Sequence, residues 1–344
     1  MLFTGLFVAG TGHRLAPPLR VEDAVARGLC ASTAVWRTGI EAVRVSQGAS
    51  GPEMAAEAAR GALRMAGASR ADLTLHASTY HQGHDMWAPA SYVQRVALGA
   101  GSGPAFEVRQ MSNGGMAALE LAAGHLLADP ARTTALVTTG DRFCPPGFDR
   151  WTTDPGTLYA DGGTALVLST RDGFARVLAA ATVSDPGLEG MQRGRRPFGA
   201  APLEHGSPVD VESARRAFVS EYGLDGVLER IDAGQDRVVD LVLEEAGLKL
   251  GDLDRFVLPH LGRARMRAHF FDRFGIAPQA STWEWGRGVG HLGAGDQCAG
   301  LHHLVTTGGL APGQRCLLVG VGAGFTWSAA VIELLRTPAA GEER

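Results

Sequence analysis

The sequence lacks long apolar runs, paired cysteine motifs and a strong net charge, and each absence excludes a class of protein. No run reaches the roughly 18 to 20 apolar residues of a membrane span, and the start MLFTGLFVAGTGH has no basic segment of the kind that opens a secretory signal. The four cysteines show no CxxC or CxxH spacing, which argues against both a metal site and a disulfide framework. We therefore expect a cytoplasmic protein with no metal.

The charge balance also argues against a nucleic-acid partner. Of 344 residues, 32 are Lys or Arg and 36 are Asp or Glu, which gives a formal net charge of -4. No broad basic surface is predicted from this balance. The hydrophobic content of 45% is enough to bury a sizeable core.

Apolar, strand-like runs alternate with helices rich in glycine and alanine, a pattern typical of an α/β architecture with buried sheets. The order of elements also repeats. A strand that ends near His76 and a strand that ends at His260 are each followed, 36 residues later, by a distinctive helix start, at Ser112 and at Asp296. The repeat predicts two related halves that face each other and bring Ser112 and Asp296 together. The halves are residues 1–170 and residues 171–344.

Ser112 stands between an apolar strand and a helix, GGMAALELAAGHLL, that is apolar enough to be buried almost all round. A helix start offers unpaired backbone N–H groups and the positive end of the helix dipole, so an oxygen there lies beside donors for a developing oxyanion. Serine is also a favoured helix cap. The segment alone leaves capping and catalysis both open.

Five motifs, in the same order along the chain, resemble the β-ketoacyl-acyl carrier protein synthase III family of the thiolase fold. They are WRTGIEAVRV, APASYVQRVALGA, YADGGTALVLS, LPHLGRAR and VGAGFTWSAAVIEL. The resemblance implies a five-layered αβαβα fold and a homodimer. It also implies acyl chemistry on the phosphopantetheine thioester of an acyl carrier protein, or of coenzyme A, without a permanently bound cofactor.

The chain departs from the family pattern at its reactive positions. The nucleophilic cysteine of the family aligns with Ser112, a weaker nucleophile that needs an adjacent base. The family asparagine is absent, and Ala294 or Asp296 takes its place, depending on where the gap is set. The family histidine is retained as His260, and a second histidine, His291, lies five positions before Asp296. Either histidine could pair with the carboxylate.

These departures predict acyl transfer without condensation. Ala294 offers no side-chain donor to the enolate of a malonyl thioester, and an ionised Asp296 would repel that enolate by on the order of 4 kcal/mol at about 4 Å and an effective dielectric of about 20. The same carboxylate, paired with a histidine, fixes the tautomer of the ring and stabilises the imidazolium. We therefore predict a Ser/His/Asp acyltransferase similar to the synthase III-like acyltransferases of natural-product pathways.

The acceptor is predicted to be a small molecule with a hydroxyl, amine or thiol group. It reacts either with a covalent Ser112 ester or directly with the thioester. One alternative is a starter-unit synthase that still condenses with malonyl carrier protein. Another is a non-catalytic partner that binds acyl carriers, although an intact Ser/His/Asp set argues against it.

The resemblance implies roles for further residues. The backbone N–H of Ala323 matches the second oxyanion donor of the family. Arg37 and Arg150, with Trp151 nearby, resemble the groups that hold the pantetheine-nucleotide arm. Thr33 stands where the family has a tryptophan, which weakens the case for coenzyme A as the donor.

A short basic run follows His260 along the chain, at Arg263, Arg265 and Arg267. The spacing suits the docking of an acidic carrier protein by charge steering. An ordinary solvated arginine face explains the run equally well.

Overall fold

Strands and helices alternate along the chain, as the sequence pattern predicts. The computed structural model describes residues 1–100 and 102–338. The strands are β1 (Phe7–Leu15), β2 (Pro18–Arg20), β3 (Ala42–Arg44), β4 (Leu73–Ala77), β5 (Ala105–Val108), β6 (Thr134–Asp141), β7 (Gly162–Ser169), β8 (Ala175–Ser184), β9 (Arg255–Val257), β10 (Arg315–Gly322) and β11 (Thr326–Leu334). The α-helices are α1 (Val21–Ala26), α2 (Thr33–Thr38), α3 (Gly51–Ala66), α4 (Pro89–Leu98), α5 (Gly114–Leu127), α6 (Gly190–Arg193), α7 (Val211–Tyr222), α8 (Leu224–Ala246), α9 (Arg263–Met266), α10 (Asp272–Phe274), α11 (Trp283–Gly286) and α12 (Asp296–Thr307).

The main sheet has the strand order β5-β4-β6-β7-β1-β8-β11-β10-β9, and this order contains a repeat. In the first part, β4 runs parallel to β5 and β6, and β7 is antiparallel to β6 and β1. In the second part, β9 and β10 are parallel, and β11 is antiparallel to β10 and β8. An isolated parallel bridge joins Phe256 of β9 to Ser281. It occupies the same position next to β9 that β5 occupies next to β4. The two parts meet through only two residue pairs of β1 and β8.

The helices form three layers around the sheet. One outer layer contains α3, which packs on β1, β6 and β7, and the other contains α8, which packs on β8 and β11. Between them, α5 and α12 both contact strands of the two parts. This order confirms the predicted five-layered αβαβα fold. The division after residue 170 falls in the connection between β7 and β8 and stays a prediction.

Local sequence explains how α3 reaches its place on β1. The helix begins with a capping box, in which Ser50 and Glu53 satisfy each other's backbone N–H groups, and it ends at Gly67 in the left-handed conformation. A Cβ atom at Gly12 of β1 would lie 2.3 Å from the carbonyl oxygen of Ala58. Only glycine therefore lets the helix approach the strand so closely. Among the described residues, no helix has both the length and the apolar character needed to cross a membrane.

The middle layer places two turns opposite each other. A 3-10 turn, Met111–Asn113, leads into α5, and a second 3-10 turn, Gly293–Gly295, leads into α12. The two turns contact each other directly. Because both helices start at the same end of the middle layer, the residues at their starts share one enclosed region.

Candidate active site

Ser112, His291 and Asp296 form one chain of hydrogen bonds. The Ser112 Oγ atom lies 2.8 Å from His291 Nε2, and His291 Nδ1 lies 2.6 Å from Asp296 Oδ2. A carboxylate can only accept, so the proton of the neutral ring resides on Nδ1 and Nε2 keeps its lone pair. The ring is therefore oriented to accept the hydroxyl proton of Ser112. His291 and Asp296 are buried, at 3% and 1% exposure.

Asp296 is held in its charged form by three donors. Besides the His291 ring, the backbone N–H of His260 donates to Oδ2 and that of Leu292 donates to Oδ1, each at 2.8 Å. Burial acts to raise the pKa of this carboxyl, but the charges of His260 and His291 and the hydrogen bonds outweigh it and lower the pKa to about 2. The group is therefore a carboxylate throughout the neutral pH range.

His260 lies on the other side of the same carboxylate and does not contact Ser112. Its Nδ1 atom lies 3.0 Å from the carbonyl oxygen of Gly290, which can only accept, so Nδ1 carries the proton. Its Nε2 atom is buried and has no hydrogen-bond partner among the described residues. Of the two candidate histidines, only His291 reaches both Ser112 and Asp296.

Neither Ser112 nor Asp296 caps its helix, so the capping interpretation of Ser112 is wrong. The N-cap of α5 is Asn113, and the N-cap of α12 is Gly295; no side-chain cap hydrogen bond is present at either helix. Ser112 instead lies inside the preceding 3-10 turn. Asp296 accepts its hydrogen bonds from residues that precede it in the chain.

The turn at Ser112 is strained and lies against the hairpin of β10 and β11. Met111 has a φ of 48°. This left-handed conformation is energetically unfavourable for any residue other than glycine, and such residues cluster at functional sites. A Cβ atom at Gly322 would lie 2.4 Å from the carbonyl oxygen of Gln110. This close approach places the turn that contains Ala323 beside the turn that contains Ser112.

Asn113 is buried and fixes the Ser112 turn to β11, a function that sequence reasoning missed. Its Nδ2 atom donates to Ser328 Oγ at 2.8 Å and to Thr326 Oγ1 at 3.2 Å. The partners lie more than 200 positions away along the chain, at separations of 213 and 215. Its place next to Ser112 was the only signal in the sequence.

Asp141 and Tyr159 also support the site and were not predicted. Asp141 accepts the backbone N–H groups of Thr79 and Tyr80, and burial raises its pKa to about 7. A Cβ atom at Gly293 would lie 2.5 Å from the Asp141 carboxylate, so Asp141 packs directly against the turn before Asp296. The ring of Tyr159 lies edge-on to His291 at 5.1 Å, and burial raises its pKa above the usual range.

A pocket of about 320 Å³ lies beside α2 and α9. Arg263 lines it and extends over the ring of Trp283, with 5.6 Å between the guanidinium carbon and the ring centroid. Trp36 also lines it and is 71% exposed. Arg37 is exposed on the same helix as Trp36. These positions leave Arg37 and Arg263 accessible for a thioester arm or a carrier protein, and that role stays a prediction.

The contacts of Arg150 argue against the prediction that it holds the pantetheine arm. Its guanidinium forms a buried ion pair with Asp161 at 2.8 Å and also donates to the carbonyl oxygens of Phe143 and Tyr159. The side chain is 9% exposed, so its donors are already used inside the protein. Trp151 is half-buried against the apolar cluster around Ile40 and does not line the pocket.

The contacts of Arg265 likewise argue against the prediction that it docks a carrier protein. Its guanidinium forms two hydrogen bonds with Asp154, both at 2.8 Å, and a third with Thr157. Arg267 is exposed but paired with Asp272 at 3.1 Å. Of the basic run, only Arg263 has its charge available to an external partner, because the other two guanidinium groups already face carboxylates.

Removing the Arg150 charge is expected to cost stability rather than substrate binding. Arg150→Met leaves Asp161 buried without its partner, and breaking a buried pair in this way costs about 3 to 5 kcal/mol. Urea unfolding followed by circular dichroism measures the loss. The matched control is Arg37→Met, at an exposed arginine, which should unfold like the native protein. A stable Arg150→Met protein with a raised KM for the acyl donor would instead support a contact between Arg150 and the pantetheine arm.

Comparisons with known proteins agree with this architecture. Residues 243–334 match the family model described as 3-oxoacyl-[acyl-carrier-protein] synthase III C terminal. A β-ketoacyl-[acyl-carrier-protein] synthase III of Streptomyces coelicolor is 30% identical over 239 residues, which cover 68% of each chain. The corresponding protein of Hyphomonas neptunium is 28% identical and covers 95% of this chain and 98% of its own.

Two solved structures show the same fold over nearly the whole chain. The acyltransferase ChlB3 superposes with a TM-score of 0.92 and 38% identity, covering 97% of this chain and 98% of that one. A 3-oxoacyl-(acyl carrier protein) synthase III from Pseudomonas aeruginosa superposes with a TM-score of 0.76 and 23% identity, covering 97% and 99%. The chain belongs to the β-ketoacyl-[acyl-carrier-protein] synthase III family of the thiolase fold.

Proposed function

We propose that this protein is an acyltransferase that moves an acyl group from the thioester of an acyl carrier protein, or of coenzyme A, to a hydroxyl, amine or thiol of a small molecule. The observation that carries the proposal is the hydrogen-bond chain from Ser112 through His291 to Asp296, with distances of 2.8 and 2.6 Å. A base that accepts from a hydroxyl and is oriented by a carboxylate is the arrangement that activates serine for acyl transfer.

In the first step, Ser112 Oγ attacks the thioester carbonyl carbon while His291 Nε2 takes the hydroxyl proton. Asp296 stabilises the imidazolium that forms. Collapse of the tetrahedral intermediate breaks the carbon–sulfur bond, and the departing thiolate takes the proton from His291. In the second step, the acceptor attacks the Ser112 ester, His291 takes the acceptor proton, and the Ser112 oxygen leaves and recovers that proton. Both steps balance without a redox partner.

The oxyanion of each intermediate is assigned to the backbone N–H groups of Ser112 and Ala323. Neither N–H donates a hydrogen bond to another group of the described residues, so both are available. The close approach of Gly322 to Gln110 supports the assignment, because it holds the two turns side by side.

The same geometry is unfavourable for condensation. An enolate needs neutral donors in a dry site, whereas Asp296 is a buried carboxylate and the Nε2 atom of His260 carries no proton when its Nδ1 proton is bound to Gly290. The similarity to ChlB3, an acyltransferase, supports the proposal from a separate direction.

The β5 strand lies at the edge of the sheet, with Phe106 56% exposed, which supports the predicted pairing with a second copy of the chain.

The test offers the full-length protein an acyl carrier protein thioester and then, in separate reactions, malonyl carrier protein or a small hydroxyl, amine or thiol acceptor. Intact mass spectrometry follows the acyl adduct, and a radiolabelled malonyl carboxyl group follows carbon dioxide release. We expect an ester, amide or new thioester product without carbon dioxide. A β-ketoacyl product with carbon dioxide would instead identify a condensing synthase. No adduct and no turnover with either donor, carrier protein or coenzyme A, would identify a non-catalytic partner.

Adding one methyl group at Gly322 is expected to lower kcat about 10²- to 10³-fold. In Gly322→Ala the new Cβ atom would lie 2.4 Å from the Gln110 carbonyl oxygen and 2.8 Å from Asn113 Cβ, so the hairpin must shift and carry the Ala323 N–H away. Loss of one oxyanion donor typically costs about 2.7 to 4 kcal/mol of transition-state stabilisation. Single-turnover acylation measures the effect. Gly124→Ala is the matched control, because nothing lies within 4 Å of its Cβ position in α5. An unchanged acylation rate in Gly322→Ala would show that the Ala323 N–H is not an oxyanion donor.

A further inference from the structure

A second cavity, of about 920 Å³, opens between β1, α3 and α12. It shares no lining residue with the pocket beside Arg263, and none of Ser112, His291 and Asp296 lines it. Its titratable lining residues are His13, Arg14, Arg44, Glu57, Arg64, His302 and His303. The acyl-transfer chemistry described above uses none of them.

The charges around this cavity are unbalanced. Among the described residues, Glu57 is the only acidic one in the lining, and it forms an ion pair with Arg14 at 2.7 Å. In residues 1–100 and 102–338, the guanidinium groups of Arg44 and Arg64 have no ion-pair partner. The cavity therefore faces two positive charges that no protein carboxylate in its wall offsets.

Two of the polar atoms at the cavity are buried without a hydrogen-bond partner among the described residues. They are Arg44 Nε and His13 Nδ1. A buried polar atom left unpaired costs about 1 to 3 kcal/mol, more when the group is charged, and such atoms in native proteins call for an explanation such as a ligand. Burial, His302 and the positive charge of Arg44 lower the pKa of His13 to about 3. The His13 ring is therefore uncharged at neutral pH, and the positive charge of the wall comes from the arginines.

The remaining wall holds the two groups in place. The His13 ring stacks edge-on against His302, with 4.4 Å between the ring centroids, and His302 Nδ1 lies 2.9 Å from Thr11 Oγ1. On the other side, Trp285 stacks flat on His303 at 4.4 Å. The cavity wall thus combines unpaired polar atoms with an aromatic surface.

We propose that this cavity binds the phosphate or carboxylate group of a small organic anion, between the guanidinium of Arg44 and the imidazole of His13. An arginine fork matches the geometry of both oxyanions, and burial strengthens the attraction compared with bulk water. Arg64, exposed at the rim on α3, attracts the anion toward the opening.

Isothermal titration of the full-length protein with inorganic phosphate, at constant ionic strength, tests the site. We expect one saturable site per chain, an affinity at least tenfold lower in Arg44→Gln, and no change in Arg70→Gln. Arg70 is an exposed arginine just beyond α3 that does not line the cavity. A parallel titration with acetate distinguishes the two anions: tighter binding of phosphate identifies a phosphate-bearing ligand, and tighter binding of acetate identifies a carboxylate.

Equal phosphate affinity in the native protein and in Arg44→Gln would overturn the proposal, as would weak uptake that never saturates. Should Arg44→Gln fail to fold, imidazole NMR of the native protein decides the question. The His13 resonances, assigned with His13→Asn, must then shift with phosphate along a single-site binding curve, while those of the exposed His205 stay in place. Unmoved His13 resonances would exclude the site. Because these readouts measure binding in the absence of acyl donor, they are independent of the proposed acyl transfer.

Discussion

Ser112→Ala is expected to abolish the covalent acyl adduct and to lower kcat for acyl transfer about 10⁴-fold. The reason is that His291 then loses the hydroxyl that it activates, since its Nε2 atom lies 2.8 Å from Ser112 Oγ. A 10⁴-fold loss corresponds to about 5.4 kcal/mol of transition-state stabilisation. Single-turnover kinetics with an acyl carrier protein thioester and intact-mass analysis measure both effects.

Two further variants make this result specific. Ser112→Cys keeps a nucleophile beside His291 and should still form an adduct, now as a thioester. Ser220→Ala removes an exposed hydroxyl from α7 and should behave like the native protein. If Ser112→Ala keeps the native rate with the acceptor present, the acceptor attacks the thioester directly, and the covalent mechanism fails.

Asp296→Asn is expected to lower kcat about 10²- to 10⁴-fold with the fold intact. The carboxylate accepts from His291 Nδ1 and the His260 N–H on one oxygen, and from the Leu292 N–H on the other. An amide has only one oxygen, so its NH₂ group must face one of these donors. Where the NH₂ group faces His291, it forces the proton onto Nε2, and the ring can no longer accept from Ser112. Where it faces Leu292, a buried donor is left unpaired, at a cost of about 1 to 3 kcal/mol.

Kinetics and NMR separate these effects from general damage. Asp225→Asn, an exposed carboxylate on α8, is the matched control and should leave kcat unchanged. Loss of the low-field Nδ1–H resonance of His291 in Asp296→Asn would show the change of tautomer. Although burial acts to raise the pKa of Asp296, the neighbouring histidines and the hydrogen bonds hold it at about 2, so the native enzyme should lose no activity through this group as the pH falls to 5. A native rate in Asp296→Asn would show that the mechanism does not need the carboxylate of Asp296.

The residues of the proposed site could be singled out from the sequence where the signal is local. Ser112 stands at a turn between a strand and an apolar helix, and His291 and Asp296 lie five positions apart, so one turn of chain holds them together. Asn113 and Asp141 gave no comparable signal. Their importance comes from contacts with segments 61 to 215 positions away, which no motif records.

The arginines show the opposite outcome. Arg150 and Arg265 resembled ligand-binding residues in their motifs, yet both charges are matched by carboxylates, Asp161 and Asp154, inside the protein. A sequence displays the charge of a side chain but not the partner that neutralises it. Arg44 lies inside the motif WRTGIEAVRV, yet the motif gave no reason to single it out as one of two arginines that line a cavity without a carboxylate partner among the described residues.

The alternation of elements, their repetition, the family motifs and the serine at position 112 were all properties of the sequence by itself, because they depend on local periodicity and residue type. Only the tertiary structure decided which histidine serves Ser112. The two rings flank the same carboxylate, and the choice depends on orientation: the Nδ1 proton of His260 is bound to Gly290, whereas the lone pair of His291 faces a hydroxyl 179 positions away. These directional hydrogen bonds join distant segments and form only after α5 and α12 have packed together. No local sequence pattern could therefore predict which histidine contacts Ser112.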